Sequence, residues 1–307
     1  MSAVTLCLHS TPARKAFKEM AGQNNHFLIT LLVGLHAVET GKAPLPAEFR
    51  TSWNPKDVQR SAQRSREFAI KALLTWTTDA IDSYVKAVVK HPVLTLPGLR
   101  EDAAVAIKED LGRVGQVRAL AKASKQADSA EYALICAAEV WRNRLVHRNA
   151  RNRLSPIDVR SLRNYEGYFA TNYQGLIIEE TIDRIKRPQS LAPTFKEVTA
   201  IVRAAHEFTR ASDEFLIRSA DIDSYMRHLL IMYVQDVDPA APSAAMSRIN
   251  NVWGKTDQRR RTSLFQIAAN RGMSICEDPS HNGVSEAAIA EIVAWSPKHA
   301  AAELRPA

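Results

Sequence analysis

Apolar residues recur at three- and four-residue steps along most of this 307-residue chain, the spacing of one face of an α-helix. Thr11-Pro12 supplies a cap followed by proline at the first helical position, and the pattern continues to a terminating Thr40-Gly41. Within it, Phe27–Val38 is the longest apolar stretch; it is too short to cross a bilayer and reads as a buried helix. His26 and His36 lie in that stretch or beside it and read as packed rather than catalytic. After a proline-broken loop over 42–49, Asn54-Pro55 opens a second long helix through Phe68, Leu73, Trp76, Ile81, Tyr84 and Val88, which stops before His91-Pro92. Residues 92–97 form a connector, and 101–125 read as one or two shorter helices broken near Gly112 or Gly115. Asp128 or Ser129 caps the next helix, whose apolar stripe is Leu134, Ala138, Trp141 and Leu145. Ser155-Pro156 opens another helix over 157–173, followed by one over 176–185.

Two prolines in Arg187–Thr194 mark a boundary, and Thr194-x-x-Glu197 has the spacing of a capping box. Helices follow over 195–214, 219–236, 243–253, 257–271 and 284–295, with a second linker at 238–244. No alternating β-branched run suggests a sheet, and no Gly-rich phosphate loop or dinucleotide fingerprint is present. The expected fold class is therefore all-α: a helical bundle over 12–187 and a second, smaller helical module over 194–307 whose role the sequence does not define.

Charge divides the chain the same way. Residues 1–187 carry 28 Lys and Arg against 19 Asp and Glu, whereas 188–307 carry 13 against 14. The excess is densest over 141–163, where Arg142, Arg144, Arg148, Arg151, Arg153, Arg160 and Arg163 face a single Asp158. Clustered arginine suits a phosphate backbone. The shorter run Lys255–Arg261 reads as a solvated face. Tyr165, Tyr168 and Tyr173 have the ring faces for base stacking, but their spacing fits core and rim positions better. Three scattered cysteines suggest neither a metal site nor a disulfide framework, so a reduced, cytoplasmic protein is expected. The first nine residues lack the pattern of a signal peptide.

The candidate chemistry lies on the 139–153 segment. With Asn143 at zero on a helical wheel of about 100° per residue, Glu139 falls near −40°, His147 near +40° and Arg142 near −100°, opposite the Leu/Trp stripe. That arrangement turns all four polar residues outward together, where a histidine and an arginine can serve acid–base and phosphate chemistry. The chain contains one Arg followed by His with four to six residues between, and here Asn follows the Arg. Arg142-Asn143-x-x-x-His147 resembles the Arg-polar-x-His signature of the HEPN superfamily, small α-helical proteins many of which are metal-independent endoribonucleases.

The resemblance covers roughly 12–187 and implies an up-down bundle that pairs as a homodimer, with two signature faces lining one composite active site. It implies RNA cleavage by attack of the ribose 2′-OH, with no metal or other cofactor. His147 would carry protons, Arg142 would hold the phosphoryl charge, Asn143 would orient the imidazole or donate to phosphate, and Glu139 would support Arg142 one turn away. Arg144, Arg148, Arg151 and Arg153 would bind RNA. By family analogy the setting is a defence or toxin-type system in the cytoplasm, with no membrane partner. HEPN proteins that work with nucleotidyltransferase partners often carry a Tyr two positions after the His; Asn149 stands there, which points away from that type. The competing class is a non-catalytic helical module that binds nucleic acid or another protein; a third reading is a DNA-binding regulator using the C-terminal helices.

Overall fold

Each Ser/Thr-Pro signal opens a helix. A computed structural model describes residues 5–43, 56–109, 111–147, 150, 152–187, 191–236, 243–277 and 282–305. In it α1 (Pro12–Glu39) starts after Thr11, and α6 (Pro156–Asn164) starts after Ser155, whose side chain forms a capping box with Asp158. Gly41 ends α1 in the left-handed region (φ 68°), and the Lys42 N–H returns to the Ala37 carbonyl at 2.8 Å, as a Schellman stop requires. The expected start at Asn54-Pro55 lies outside the described residues; α2 runs Val58–Lys90, with Asp57 accepting the Arg60 N–H at 2.9 Å. The chain then breaks before Gly112 into α3 (Leu99–Lys108) and α4 (Gly112–Ala123). Ser129 caps α5 (Ala130–Val146) by accepting the Tyr132 N–H at 3.1 Å. A turn at Tyr165 separates α6 from α7 (Glu166–Asn172), and α8 (Ile178–Lys186) follows.

The Thr194/Glu197 capping box is formed, and α9 (Phe195–Ser219) continues through the break expected after residue 214. Then come α10 (Ile222–Gln235), α11 (Ser243–Trp253), α12 (Asp257–Asn270), α13 (Glu286–Ala294) and α14 (Pro297–Glu303). The last was not anticipated, although Ser296-Pro297 repeats the cap-plus-proline signal. The fold is all-α. The strands, β1 (Thr5–Cys7) and β2 (Ser274–Cys276), pair antiparallel with Leu6 opposite Ile275; three residues each are too few to leave an alternating signature. Among the described residues, no helix is long and apolar enough to cross a membrane.

The chain divides into two compact units, but not at 187–194. The larger comprises 13–89 and 98–212; the smaller gathers 1–12, 90–97 and 213–307. The start of α9 belongs to the larger unit because Val198, Ile201 and Ala204 pack with Leu73, Leu134, Trp141, Phe169 and Ile182 in its core. The smaller unit is built around Leu6, Leu94, Tyr225, Trp253, Ile292 and Trp295. There the Arg-rich run on α12 is partly structural: Arg260 donates to the Val293 carbonyl at 2.9 Å and Arg261 pairs with Glu286 at 2.6 Å. In the larger unit, α1 departs from expectation. It buries Arg14, Phe17, Ala21 and Leu28, yet leaves Phe27, Ile29, Leu31 and Val33 exposed, with His26 and His36 exposed as well.

Cys7 and Cys276 form a disulfide across the strand pair, with Cα atoms 6.0 Å apart, and Cys136 is a buried free thiol. This corrects the expectation of three reduced cysteines: the strand pair brings together residues 269 apart in sequence, which no local spacing reveals. Closing so long a loop removes much chain entropy from the unfolded state, a stabilisation of up to about 5 kcal/mol. Thiol titration of unreduced, denatured protein should find one reactive thiol per chain, rising to three after reduction; three without reduction would rule the bond out.

Candidate active site

Every residue of α5 from Ala133 to Trp141 is buried. Leu134, Ala138 and Trp141 form the expected core face, Leu145 packs partly against it, and Trp141 donates its indole N–H to the Leu191 carbonyl at 2.9 Å. The opposite face is also covered, because α2 and α4 lie against it. Glu139, expected to point outward, is therefore 0% exposed, and neither of its carboxyl oxygens has a hydrogen-bond partner among the described residues.

Around Glu139 the three helices assemble an ionic cluster. Arg113 of α4 bonds to Asp79 and lies 3.7 Å from Asp82, both on α2. Lys86 reaches Asp82 at 2.7 Å, and Arg142 Nη2 stands 3.7 Å from Asp79. Burial pushes the Glu139 carboxyl up to about 8; Arg113 and Arg142 oppose the shift, and Asp82 and Asp79 reinforce it. An ionised carboxylate without hydrogen bonds in such a site is strongly disfavoured, so near neutral pH Glu139 keeps its proton. Lys86, Arg113 and Arg142 then face two carboxylates, and the cluster is left with one excess positive charge.

Arg142 is the member of the cluster that reaches the motif. Its side chain is only 12% exposed, and its Nε is buried without a partner among the described residues. Nη1 donates to Asn143 Oδ1 at 3.0 Å and lies 3.4 Å from His147 Nε2. Guanidinium only donates, so this approach makes Nε2 the acceptor and places the proton of the neutral ring on Nδ1. That lone pair is engaged by Arg142 here, so Nε2 can serve as a general base only once the guanidinium turns to another acceptor such as a phosphate. His147 is exposed, and it is the C-cap of α5 rather than a residue within the helix. Asn143 holds Arg142, not the imidazole.

The flanking arginines divide. Arg144 is half-buried and donates to the Arg187 carbonyl at 2.6 Å; Arg153 is exposed; Arg148 and Arg151 lie outside the described residues. Arg163 is paired in bidentate fashion with Glu179 at 2.5 and 2.9 Å. Tyr173 is buried and Tyr168 half-exposed, and both hydroxyls donate to Glu131 at 2.8 Å, the core and rim positions expected. Sequence reasoning missed Asp79, Asp82 and Arg113. A signal was present: Asp79 and Asp82 interrupt an otherwise apolar stretch of α2, flanked by buried Ala80, Ile81, Tyr84 and Val85. The chain matches no family model, no curated protein and no solved structure.

Glu139 makes stability depend on pH. Its folded-state pKa, about 8, lies above the ordinary value of 4.5, so the folded protein holds a proton that the unfolded chain releases. The stabilisation is complete below about 4.5 and is lost as pH rises through about 8. Glu139→Gln should flatten this part of the stability–pH curve and raise the melting temperature at pH 8.5, by about 2–4 °C per kcal/mol recovered. Thermal unfolding across pH 5–9 tests this; parallel curves for variant and wild type would contradict it.

Proposed function

We propose that this chain is a metal-independent endoribonuclease of the HEPN type, acting in a defence or toxin-type system. The observation that carries the reading is the 3.4 Å approach of Arg142 Nη1 to His147 Nε2 at the exposed end of an otherwise buried helix. As Arg142 turns from His147 to the phosphate, the freed Nε2 takes the proton of a ribose 2′-OH, and the 2′-oxygen attacks the adjacent phosphorus. The bond from phosphorus to the 5′-oxygen breaks, leaving a 2′,3′-cyclic phosphate. The departing oxygen takes a proton from a second histidine, His147 of another copy in a homodimer with a composite site. The outer edge of Arg142 stabilises the charge gathering on the phosphoryl oxygens, and Arg153 holds the strand. Exposed Phe27, Leu31 and Val33 on α1 offer an apolar surface of the kind a second copy covers. The proposal takes the protein to act in the cytoplasm, where the Cys7–Cys276 bond would meet a reducing thiol pool.

A second reading is a non-catalytic RNA-binding module. The burial of Arg142 Nε favours it, since an arginine fixed by Asn143 and Asp79 also serves as a structural clamp.

Incubation with mixed RNA in EDTA separates the two. The nuclease reading expects cleavage to cyclic-phosphate ends. His147→Ala should slow it by about 10²–10⁴-fold, and Arg142→Ala should remove about 3–4 kcal/mol of transition-state stabilisation. Cleavage that requires a divalent metal or is indifferent to His147 contradicts the mechanism. RNA binding without cleavage, in protein shown to be dimeric, favours the binding module.

A further inference from the structure

A cleft of about 680 Å³ opens between α4, α5 and α6 in the larger unit, within the usual size range of small-molecule sites. Its α5 wall lies on the same side of the helix as the Arg-Asn-His motif. Tyr132, Cys136 and Asn143 fall within about 40° of one another on the wheel, and Cys136 precedes Asn143 by about 10 Å of helix. The cleft and His147 thus share one side of α5, separated by the buried Glu139 and Val140.

Its chemistry is mixed in a specific way. Arg118, Lys122 and Arg160 supply three cations. Lys122 reaches out to Asp102 at 2.9 Å and Arg118 Nε lies 3.4 Å from the Tyr132 hydroxyl. Arg160 is exposed and has no carboxylate partner among the described residues. Asp128 and Asp158 also line it; Asp158 accepts from the Ser155 N–H and hydroxyl at 3.0 and 2.6 Å, and like Arg160, Arg118 is in no ion pair among the described residues. Apolar surface comes from the rings of Tyr132 and Tyr165 and from Ile157, which is 77% exposed. The Asn164 and Ser161 side chains face the cleft without hydrogen-bond partners among the described residues; an amide both donates and accepts. Cys136 is buried at the wall, its thiol pushed up to about 12 by burial, so it contributes shape and not reactivity.

Flat apolar walls, an unpaired amide and uncompensated arginine match one ligand class. We propose that this cleft holds a single nucleotide unit, its base against the tyrosine-lined wall and within reach of Asn164, its phosphate on Arg160 and Arg118. The inference rests on the ribonuclease reading only for the strand that delivers the nucleotide.

Calorimetric titration of the full-length protein tests this with adenosine monophosphate, adenosine, inorganic phosphate and a ten-residue 2′-O-methyl oligonucleotide, which 2′-OH attack cannot cleave. Arg160→Glu reverses the charge and Ser161→Trp fills the cleft; circular dichroism confirms that both fold. Losing one charge-assisted contact corresponds to a weakening of about tenfold or more. Saturable binding of the monophosphate and the oligonucleotide, weakened to that degree by both variants, supports the site. Variant-sensitive binding of the oligonucleotide alone also supports it and identifies the strand as the source. Phosphate binding as tightly as the monophosphate, or no variant-sensitive binding of either nucleotide ligand at millimolar concentration, overturns it. Binding is read without cleavage: nucleotide binding with no RNA cleavage counts against the ribonuclease reading alone, and cleavage with no nucleotide binding counts against the cleft alone.

Discussion

The candidate site depends on a buried carboxyl group that has no hydrogen bond among the described residues. Glu139 lies inside the contact of α2, α4 and α5, within the fields of Arg113 and Arg142 and of Asp79 and Asp82. Removing one partner from a buried ionic cluster strands its counter-charge, typically at about 3–5 kcal/mol. Here the proton on Glu139 limits that cost. It neutralises the most deeply buried member and leaves Arg113 and Arg142 facing two aspartates. The same proton leaves a positive excess shared among Lys86, Arg113 and Arg142, of which Arg142 is the one beside His147. Packing, charge state and the presentation of the motif are therefore one problem with one solution.

Much of the framework was legible. Cap-plus-proline signals at 11–12 and 155–156, the cap at Ser129, the stop at Gly41 and the capping box at 194–197 are local chemistry, and local chemistry is written in short stretches. The Leu134/Ala138/Trp141 stripe correctly located the core side of α5. Its other side was misread, because periodicity reports where apolar residues lie and not what covers the polar ones. A central helix buries both faces, and its polar residues then need partners from elements far away in sequence. The reverse error occurred in α1, where an apolar run from Phe27 to Val38 is largely exposed. Burial follows position in the assembly, and composition alone does not determine it.

Long-range organisation was the least legible part. The smaller unit collects three separate segments, and the Cys7–Cys276 bond and the β1–β2 pair link the two ends of the chain. A charge shift near residue 187 marks a change in composition, but the structural division falls inside α9. The arginine-rich segment also divides by role. Arg144 and Arg163 are engaged by the protein itself, while Arg153 and Arg160 face solvent. Counting arginines identified a basic surface; separating structural from available cations needed their partners.

Protonation of Glu139 links this arrangement to the proposed chemistry, because it sets the charge behind Arg142. A ¹³C carboxyl NMR titration of the full-length protein, with Glu139→Gln used to assign the resonance, measures it directly. The account expects a midpoint near pH 8, far above that of an exposed glutamate. A midpoint near 4.5, the ordinary value, would mean that Glu139 is ionised at neutral pH and that the cluster leaves no positive excess at Arg142.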